Sequence, residues 1–113
     1  MHQDTEETVW RRMRKSIIYN EKRCYLCGST LNLERHHCIH GRGLRQLADR
    51  WGLWVWLCPL HHRHSKYGVH GDASLDRWFK ELAQNCFEII YGHEMWMRIF
   101  GRNYLKEDDD EQS

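Results

Sequence analysis

The stretch HHCIH at residues 36–40 decides the fold when it is taken together with CPLHH at residues 58–62. Each stretch contains two adjacent histidines, and Cys58 opens the second one. A Cys-x-x-Cys pair, Cys24 and Cys27, precedes both. Thiolates and imidazoles are ligands that zinc prefers, so the chain offers enough donors for one zinc ion. It also leaves a second group of histidines that this zinc does not need.

The predicted structural zinc site consists of Cys24, Cys27, Cys58 and His61. Its two halves are Cys-x-x-Cys and Cys-x-x-His, and each can reach one tetrahedral ion from a tight turn. Because four protein ligands leave no open position, we expect this zinc to stabilise the fold and to take no part in a reaction. The alternative for the fourth ligand is His62, since adjacent histidines at a helix start can exchange roles.

The remaining histidines predict a second, functional metal site. They are His36, His37 and His62, with His64 or His70 as a further candidate. Neighbours in an extended strand point to opposite faces, so His36 and His37 cannot both bind one ion without a bend. We therefore expect one of them on a metal and the other free to act as a base. The other interpretation is that these are ordinary core or surface histidines.

Length and net charge indicate the number of domains but do not decide whether the protein binds nucleic acid. With 113 residues the chain forms one domain with a small core. The net charge is only +1, which does not by itself indicate a nucleic-acid-binding protein. The charges are unevenly placed, however. Basic residues gather in the first quarter and between the histidine pairs, and residues 108–111 are all acidic, so the body of the chain is basic.

The cysteines and the lack of a long apolar run indicate an intracellular protein. No segment is long and apolar enough to cross a bilayer, and the first residues do not form a signal peptide, so we expect a cytoplasmic location and no membrane contact. Five cysteines in a reducing compartment are typical of metal ligands or buried thiols. Cys38 and Cys86 have no partner at ligand spacing and are predicted to be buried thiols.

The hydrophobic pattern predicts an α+β fold, a single domain over residues 1–113 with its core at about 23–70. An amphipathic helix at about 5–20 precedes the core, and its basic face either is solvated or contacts DNA. A strand running into the first histidine pair should form a hairpin, after a long and weakly helical loop, with a strand at 53–57. A short helix follows at about 60–66. C-terminal helices are predicted at about 75–100, capped by Asp72 or Ser74, and the acidic tail 106–113 is predicted to be disordered.

This order of motifs resembles the HNH endonucleases, whose domain is the ββα-metal fold. The shared features are the Cys-x-x-Cys turn, a strand ending in a histidine pair, a loop, a second strand and LCPLHH at residues 57–62 opening a helix. The resemblance covers about residues 23–66. It implies a zinc-stabilised ββα-metal core in which His36 and His62 bind the catalytic divalent ion and His37 is the general base. His61 takes the place of the usual second cysteine of the helix half-site.

The chain departs from the family pattern at two positions. The family usually has an asparagine about nine residues before the helix histidine, where it braces the loop, but here that position is Leu53. A further ligand often lies one helical turn after the helix histidine, but here that position is Lys66. His70 or His64 would substitute, and we favour His70. Residues 75–105 also resemble the ends of small phage-encoded HNH proteins, which bears on gene context and not on mechanism.

The function that the resemblance implies is a metal-dependent endonuclease that hydrolyses phosphodiester bonds in double-stranded DNA. Its cofactors would be the structural zinc and a catalytic divalent ion, Mg²⁺, Mn²⁺, Ni²⁺ or Zn²⁺. Arg42 or Arg45 would hold phosphate, although a solvated loop explains both arginines equally well. One alternative is a non-catalytic zinc module that binds DNA or protein. Another is an interaction protein whose histidines hold zinc only for assembly. Neither alternative needs a base beside a metal.

Overall fold

The structure is a computed structural model that describes residues 14–105. It has the predicted α+β composition, with a two-stranded sheet and four helices. The elements in chain order are β1 (Glu34–His37), α1 (Leu44–Trp51), β2 (Trp54–Leu57), α2 (Pro59–His62), a 3-10 turn (Val69–Gly71), α3 (Ala73–Tyr91) and α4 (His93–Phe100). Residues 1–13 and the acidic tail 106–113, with the disorder predicted for it, lie outside the described residues.

The hairpin places the first histidine pair on a fixed register. β1 and β2 are antiparallel, with His36 opposite Val55 and His37 opposite Trp54. Successive residues of a strand point to opposite faces, and the two histidines follow this rule. The His36 ring packs into the core, 5.2 Å from the ring of Phe79 on α3. His37 instead faces α1 in the connection between the strands.

The predicted helix at about 5–20 is wrong for residues 14–20, which contain no helix, and its earlier residues lie outside the described range. This segment instead docks on the start of β2. Ile17 N–H donates to Gly52 O at 2.9 Å, the Ser16 hydroxyl donates to Trp54 O, and Trp54 Nε1–H donates to Arg14 O at 2.9 Å. Backbone groups used in these tertiary hydrogen bonds are not available for helical ones. Helical periodicity alone could not foresee that competition.

The short helix after β2 is also shorter than predicted. α2 ends at His62, where Arg63 forms its C-cap, so the predicted extension to residue 66 is wrong. The chain then turns, and Gly68 N–H donates to His64 O at 2.8 Å. This early ending leaves residues 63–68 as a loop that leads His70 back toward the hairpin, a path that a longer helix would not allow.

The C-terminal helices agree with the prediction and contribute buried side chains to the core. Asp72 caps α3, and its carboxylate accepts from Ser74 N–H and Leu75 N–H at 3.0 and 3.1 Å. Phe87 on α3 contacts the ring of Trp96 on α4 with 5.4 Å between centroids, and both side chains are fully buried. Such aromatic burial suits a core built from few large side chains.

The two cysteines outside the metal motifs differ in burial. Cys38 is fully buried, as predicted, whereas Cys86 on α3 keeps partial exposure. All five cysteines carry free thiols. Within residues 14–105, no helix has the length and apolar character that a membrane span requires.

Candidate functional site

The four predicted zinc ligands lie together. One donor atom from each of Cys24, Cys27, Cys58 and His61 falls within 4.8 Å of all the others. Cys58 Sγ is 3.3 Å from His61 Nδ1 and 3.8 Å from Cys27 Sγ. Three thiols and one imidazole at this spacing are a donor set that can bind a metal such as zinc.

Local backbone structure explains why these ligands meet. The first cysteine pair sits in a tight turn closed by Gly28 N–H donating to Cys24 O at 2.8 Å, and Gly28 has a φ of 82°. Glycine adopts this left-handed conformation without steric cost. Tyr25 N–H then donates to Trp56 O at 2.8 Å, which attaches the turn to β2. Cys58 is the N-cap of α2, so β2 delivers it directly beside the turn.

The Cys24 thiol is prepared for metal binding. Burial raises its pKa, but hydrogen bonds from the backbone of Cys58, Cys27 and Leu26 outweigh that effect and lower the pKa to about 6. Metal ligation requires the thiolate form, so a lowered pKa reduces the cost of losing the proton. The backbone groups that stabilise this thiolate belong both to the Cys-x-x-Cys turn and to the start of α2. The lowered pKa of Cys24 therefore depends on the fold that brings these two segments together.

A second cluster consists of His36, His62 and His70, and one nitrogen from each lies within 4.8 Å of the other two. His62 Nε2 and His70 Nε2 are 3.0 Å apart. The ring centroid of His36 is 5.3 Å from that of His62 and 5.4 Å from that of His70. The structure therefore brings together the three predicted histidines, with His70 as the third member.

His36 carries the strongest sign that this cluster can hold an ion. Among residues 14–105, its Nε2 is the buried side-chain nitrogen or oxygen that lacks any hydrogen-bond partner. Burial, and then repulsion from His62 and His70, lowers its pKa to about 3, so the ring is neutral and offers a lone pair. A buried polar atom without a partner is costly unless something else binds it. A divalent ion between the three imidazoles would satisfy it.

Glu34 sets the orientation of the His62 ring. Its Oε1 accepts from His62 Nδ1 at 2.7 Å, which leaves Nε2 directed to the cluster. The Arg63 guanidinium donates to both carboxylate oxygens at 2.6 to 3.0 Å. Hydrogen bonds from Arg63 and then His62 lower the pKa of Glu34 to about 2, so the carboxylate is ionised. Carboxylates that fix the ring of a metal-binding histidine are common at such sites.

His64 and Arg42 do not join these clusters. His64 lies in the loop after α2, where its Nδ1 accepts from the backbone N–H groups of Lys66 and Tyr67. This geometry agrees with the preference for His70 over His64. Arg42 is exposed and does not line the cavity described below, whereas Arg45 does.

Replacing His62 with alanine is expected to distinguish the metal binding of the histidine cluster from that of the Cys/His cluster, which consists of Cys24, Cys27, Cys58 and His61. The His62 ring is not part of the Cys/His cluster, so the variant should keep its fold and about one equivalent of tightly held zinc. Its affinity for added Mn²⁺ should fall by at least roughly tenfold, because one of three imidazoles is missing. Zinc analysis and calorimetric titration with Mn²⁺ measure the two effects, with His93→Ala as the control because His93 is exposed on α4. Loss of the tight zinc would mean that His62, and not His61, completes the first cluster.

His37 lies beside the histidine cluster but is held by a different partner. Its Nε2 is 2.8 Å from Asp49 Oδ1, and 17% of its side chain remains exposed. Burial lowers the pKa of His37 more than the hydrogen bond to Asp49 raises it, so the neutral ring is favoured. When Nε2–H donates to the carboxylate, Nδ1 carries the lone pair that can accept a proton.

One cavity of about 220 Å³ joins these groups. Five imidazoles and two guanidiniums line it: Arg35, His36, His37, His40, Arg45, His62 and His70. Its wall is therefore rich in nitrogen atoms, and both the candidate base, His37, and the three histidines of the candidate ion site line it. A cavity of this chemistry suits an anion such as a phosphate group.

Sequence reasoning missed two residues that line this cavity, Arg35 and His40, and the two carboxylates that bond to its histidines, Asp49 and Asp76. Asp49 and Arg35 bond to each other at 3.1 Å, and Asp49 also holds His37. His40 Nε2 is 2.7 Å from Asp76 Oδ1 on α3. For Asp49 a signal existed in the sequence, since it lies four residues after Arg45 and so shares its helical face. The His40–Asp76 contact joins positions 36 residues apart and left no local pattern.

Comparison with protein-family models, with curated proteins and with solved structures finds no match to this chain.

Proposed function

We propose that this protein is a metal-dependent endonuclease of the HNH type that hydrolyses phosphodiester bonds in double-stranded DNA. The observation that carries the proposal is a single cavity lined both by His37 and by the three clustered histidines, of which His36 has a buried Nε2 without a hydrogen-bond partner. A neutral imidazole next to a candidate ion site is the combination that hydrolysis needs, and a purely structural zinc site has no use for it.

His37 is the proposed general base. With Nε2–H donating to Asp49, the free Nδ1 takes a proton from a water molecule as that water attacks the phosphorus. Burial keeps the ring neutral, which is the protonation state this step requires. Proton transfer by a positioned imidazole contributes roughly a hundred- to ten-thousand-fold to such reactions.

His36, His62 and His70 are the residues that would hold the catalytic divalent ion. When bound, such an ion acts as a Lewis acid that polarises the phosphate and stabilises negative charge on the leaving oxygen. Glu34 contributes by fixing which nitrogen of His62 faces the cluster. Arg45 lines the same cavity and is the proposed phosphate contact, with Arg35 close by on β1.

The Cys/His cluster has a separate part in this proposal. Zinc there would join the turn at residues 24–28 to the start of α2, the helix that carries His62. Because a structural metal contributes its binding energy to folding, it would keep His62 in place without entering the reaction.

Nicking of supercoiled plasmid DNA by the zinc-loaded protein tests this function. We expect conversion to open circles or linear DNA with added Mg²⁺, Mn²⁺ or Ni²⁺, and none when a chelator removes the loosely held ion. Intact plasmid with each of these ions, together with retained DNA binding, would favour the zinc module that binds DNA without cutting it. Intact plasmid without any DNA binding would favour a protein-interaction module.

A further inference from the structure

Asp49 is the acidic residue that connects α1 to the proposed base. Its Oδ1 accepts from His37 Nε2 at 2.8 Å and from Arg35 Nη1 at 3.1 Å, so one oxygen holds two residues of β1. Its side chain is 26% exposed, and both of its partners, Arg35 and His37, line the cavity. Arg45 stands four residues earlier on α1, so the same helical face supplies both the carboxylate and the guanidinium that lines the cavity.

The backbone around Asp49 is fixed independently of the cavity. Ala48 is fully buried, and its carbonyl accepts from Leu53 N–H at 2.8 Å. Gly52 ends α1 in a left-handed conformation with a φ of 72°, where a side chain would approach Lys15 O to 2.5 Å. Only glycine fits this position without a shift, and the chain passes directly from it into β2. Asp49 therefore presents its carboxylate from a rigid support.

Arg35 is fixed from its other side. Its guanidinium lies 4.3 Å from the ring centroid of Trp54 on β2, a cation–π arrangement. The pair of contacts from Arg35 and His37 leaves Asp49 Oδ1 little freedom to rotate away. The carboxylate and the imidazole consequently keep one mutual orientation, which is what a base needs in order to accept a proton in a defined direction.

We propose that Asp49 is a positioning residue for the base, acting through His37 by fixing its ring orientation and its Nε2–H tautomer. This inference rests on the proposed endonuclease function. Asp49 acts from α1 as a carboxylate acceptor, and its hydrogen bond with Nε2 favours one tautomer of His37.

A double-mutant cycle between Asp49 and His37 tests the inference. Asp49→Ala should lower the nicking rate of the otherwise native protein by about 10- to 100-fold, the usual loss when a group that orients an active imidazole is removed. Introduced into His37→Ala, the same change should alter the residual rate by less than about twofold, because a residue that acts through His37 has nothing left to position. DNA affinity should stay close to that of the native protein in both backgrounds.

Asp49→Asn tests whether an oxygen acceptor at this position is enough to hold the His37 ring. Asparagine keeps an oxygen acceptor at the same place, so Asp49→Asn should be faster than Asp49→Ala. An equal loss from Asp49→Ala in both backgrounds of the cycle would overturn the inference, since that is the result of a general structural role.

Imidazole NMR spectra decide the inference even if the protein cuts no DNA. Long-range ¹H–¹⁵N spectra of the zinc-loaded protein should show His37 as a single Nε2–H tautomer, and Asp49→Ala should shift its two ring nitrogens toward an averaged mixture. Unchanged His37 nitrogens in Asp49→Ala would overturn the positioning role. Failure to nick plasmid in the wild type would instead reject the endonuclease proposal, so the two failures are distinguishable.

Discussion

His37→Ala is expected to lower plasmid nicking by roughly a hundred- to ten-thousand-fold, the contribution of a positioned general base. The reason is that Nδ1 of His37 carries the lone pair that can accept a proton when Asp49 holds Nε2–H, and His37 lines the same cavity as the three clustered histidines. Initial nicking rates at saturating Mn²⁺ measure the effect. Bound metal, DNA affinity and melting temperature should remain close to those of the wild type, because the His37 ring is not part of either metal cluster.

His93→Ala is the matched control for this experiment. His93 is also a histidine with a carboxylate partner, Glu88, at 2.6 Å, but it lies on α4 and is exposed. It should nick DNA at the wild-type rate. Full activity of His37→Ala, in protein freed of contaminating nuclease, would refute the role of the base and leave the zinc module as the better account.

Cys58→Ser is expected to abolish the folded state at ordinary temperature. A structural zinc site contributes about 10–16 kcal/mol of metal-binding free energy in small zinc domains at neutral pH. The free energy of unfolding of a whole domain is only about 5–15 kcal/mol. Removing one thiolate weakens zinc binding and can therefore remove most of that free energy. Cys58 is also the N-cap of α2 and joins the turn at residues 24–28 to that helix. Circular dichroism melts and zinc analysis of the purified variant measure the loss.

Cys86→Ser serves as the control for the cysteine variant. Cys86 lies on α3 and is not a member of the Cys/His cluster. Its replacement should leave zinc content unchanged and the melting temperature nearly so. A Cys58→Ser protein that melts like the wild type and keeps about one equivalent of zinc would contradict a structural role for this cluster.

The hairpin and the cluster of Cys24, Cys27, Cys58 and His61 could be predicted from sequence because their signals are local. The β-branched and aromatic run at 53–57 predicts a strand, and the observed β2 is Trp54–Leu57. Ligand spacing within each half-site places two donors on one turn, so Cys24 and Cys27 need only the hairpin to meet Cys58 and His61. The alternation of a strand also foretold that His36 and His37 would face different neighbours.

The features that sequence analysis predicted wrongly or missed depend on contacts between residues far apart in the chain, which no local pattern encodes. The spacing of Val9, Met13 and Ile17 predicts a helix, yet residues 14–20 hydrogen-bond to Gly52 and Trp54, which lie more than thirty positions away in the sequence. Asp49 and Asp76 look like ordinary surface carboxylates until tertiary structure places His37 and His40 beside them. Charge runs and periodicity describe a segment by itself and cannot rank its distant partners. For His70 the sequence offers only the indirect signal that the chain can turn back after Gly68.

A crystal of the protein with Mn²⁺ and a short DNA duplex, examined by anomalous scattering, tests whether the cavity beside His37 holds both a divalent ion and a DNA phosphate. The account predicts a zinc peak among Cys24, Cys27, Cys58 and His61. It also predicts a manganese peak among His36, His62 and His70, with a backbone phosphate of the duplex in the cavity beside His37. A duplex bound on another face, with no ion between the three histidines, would contradict the account.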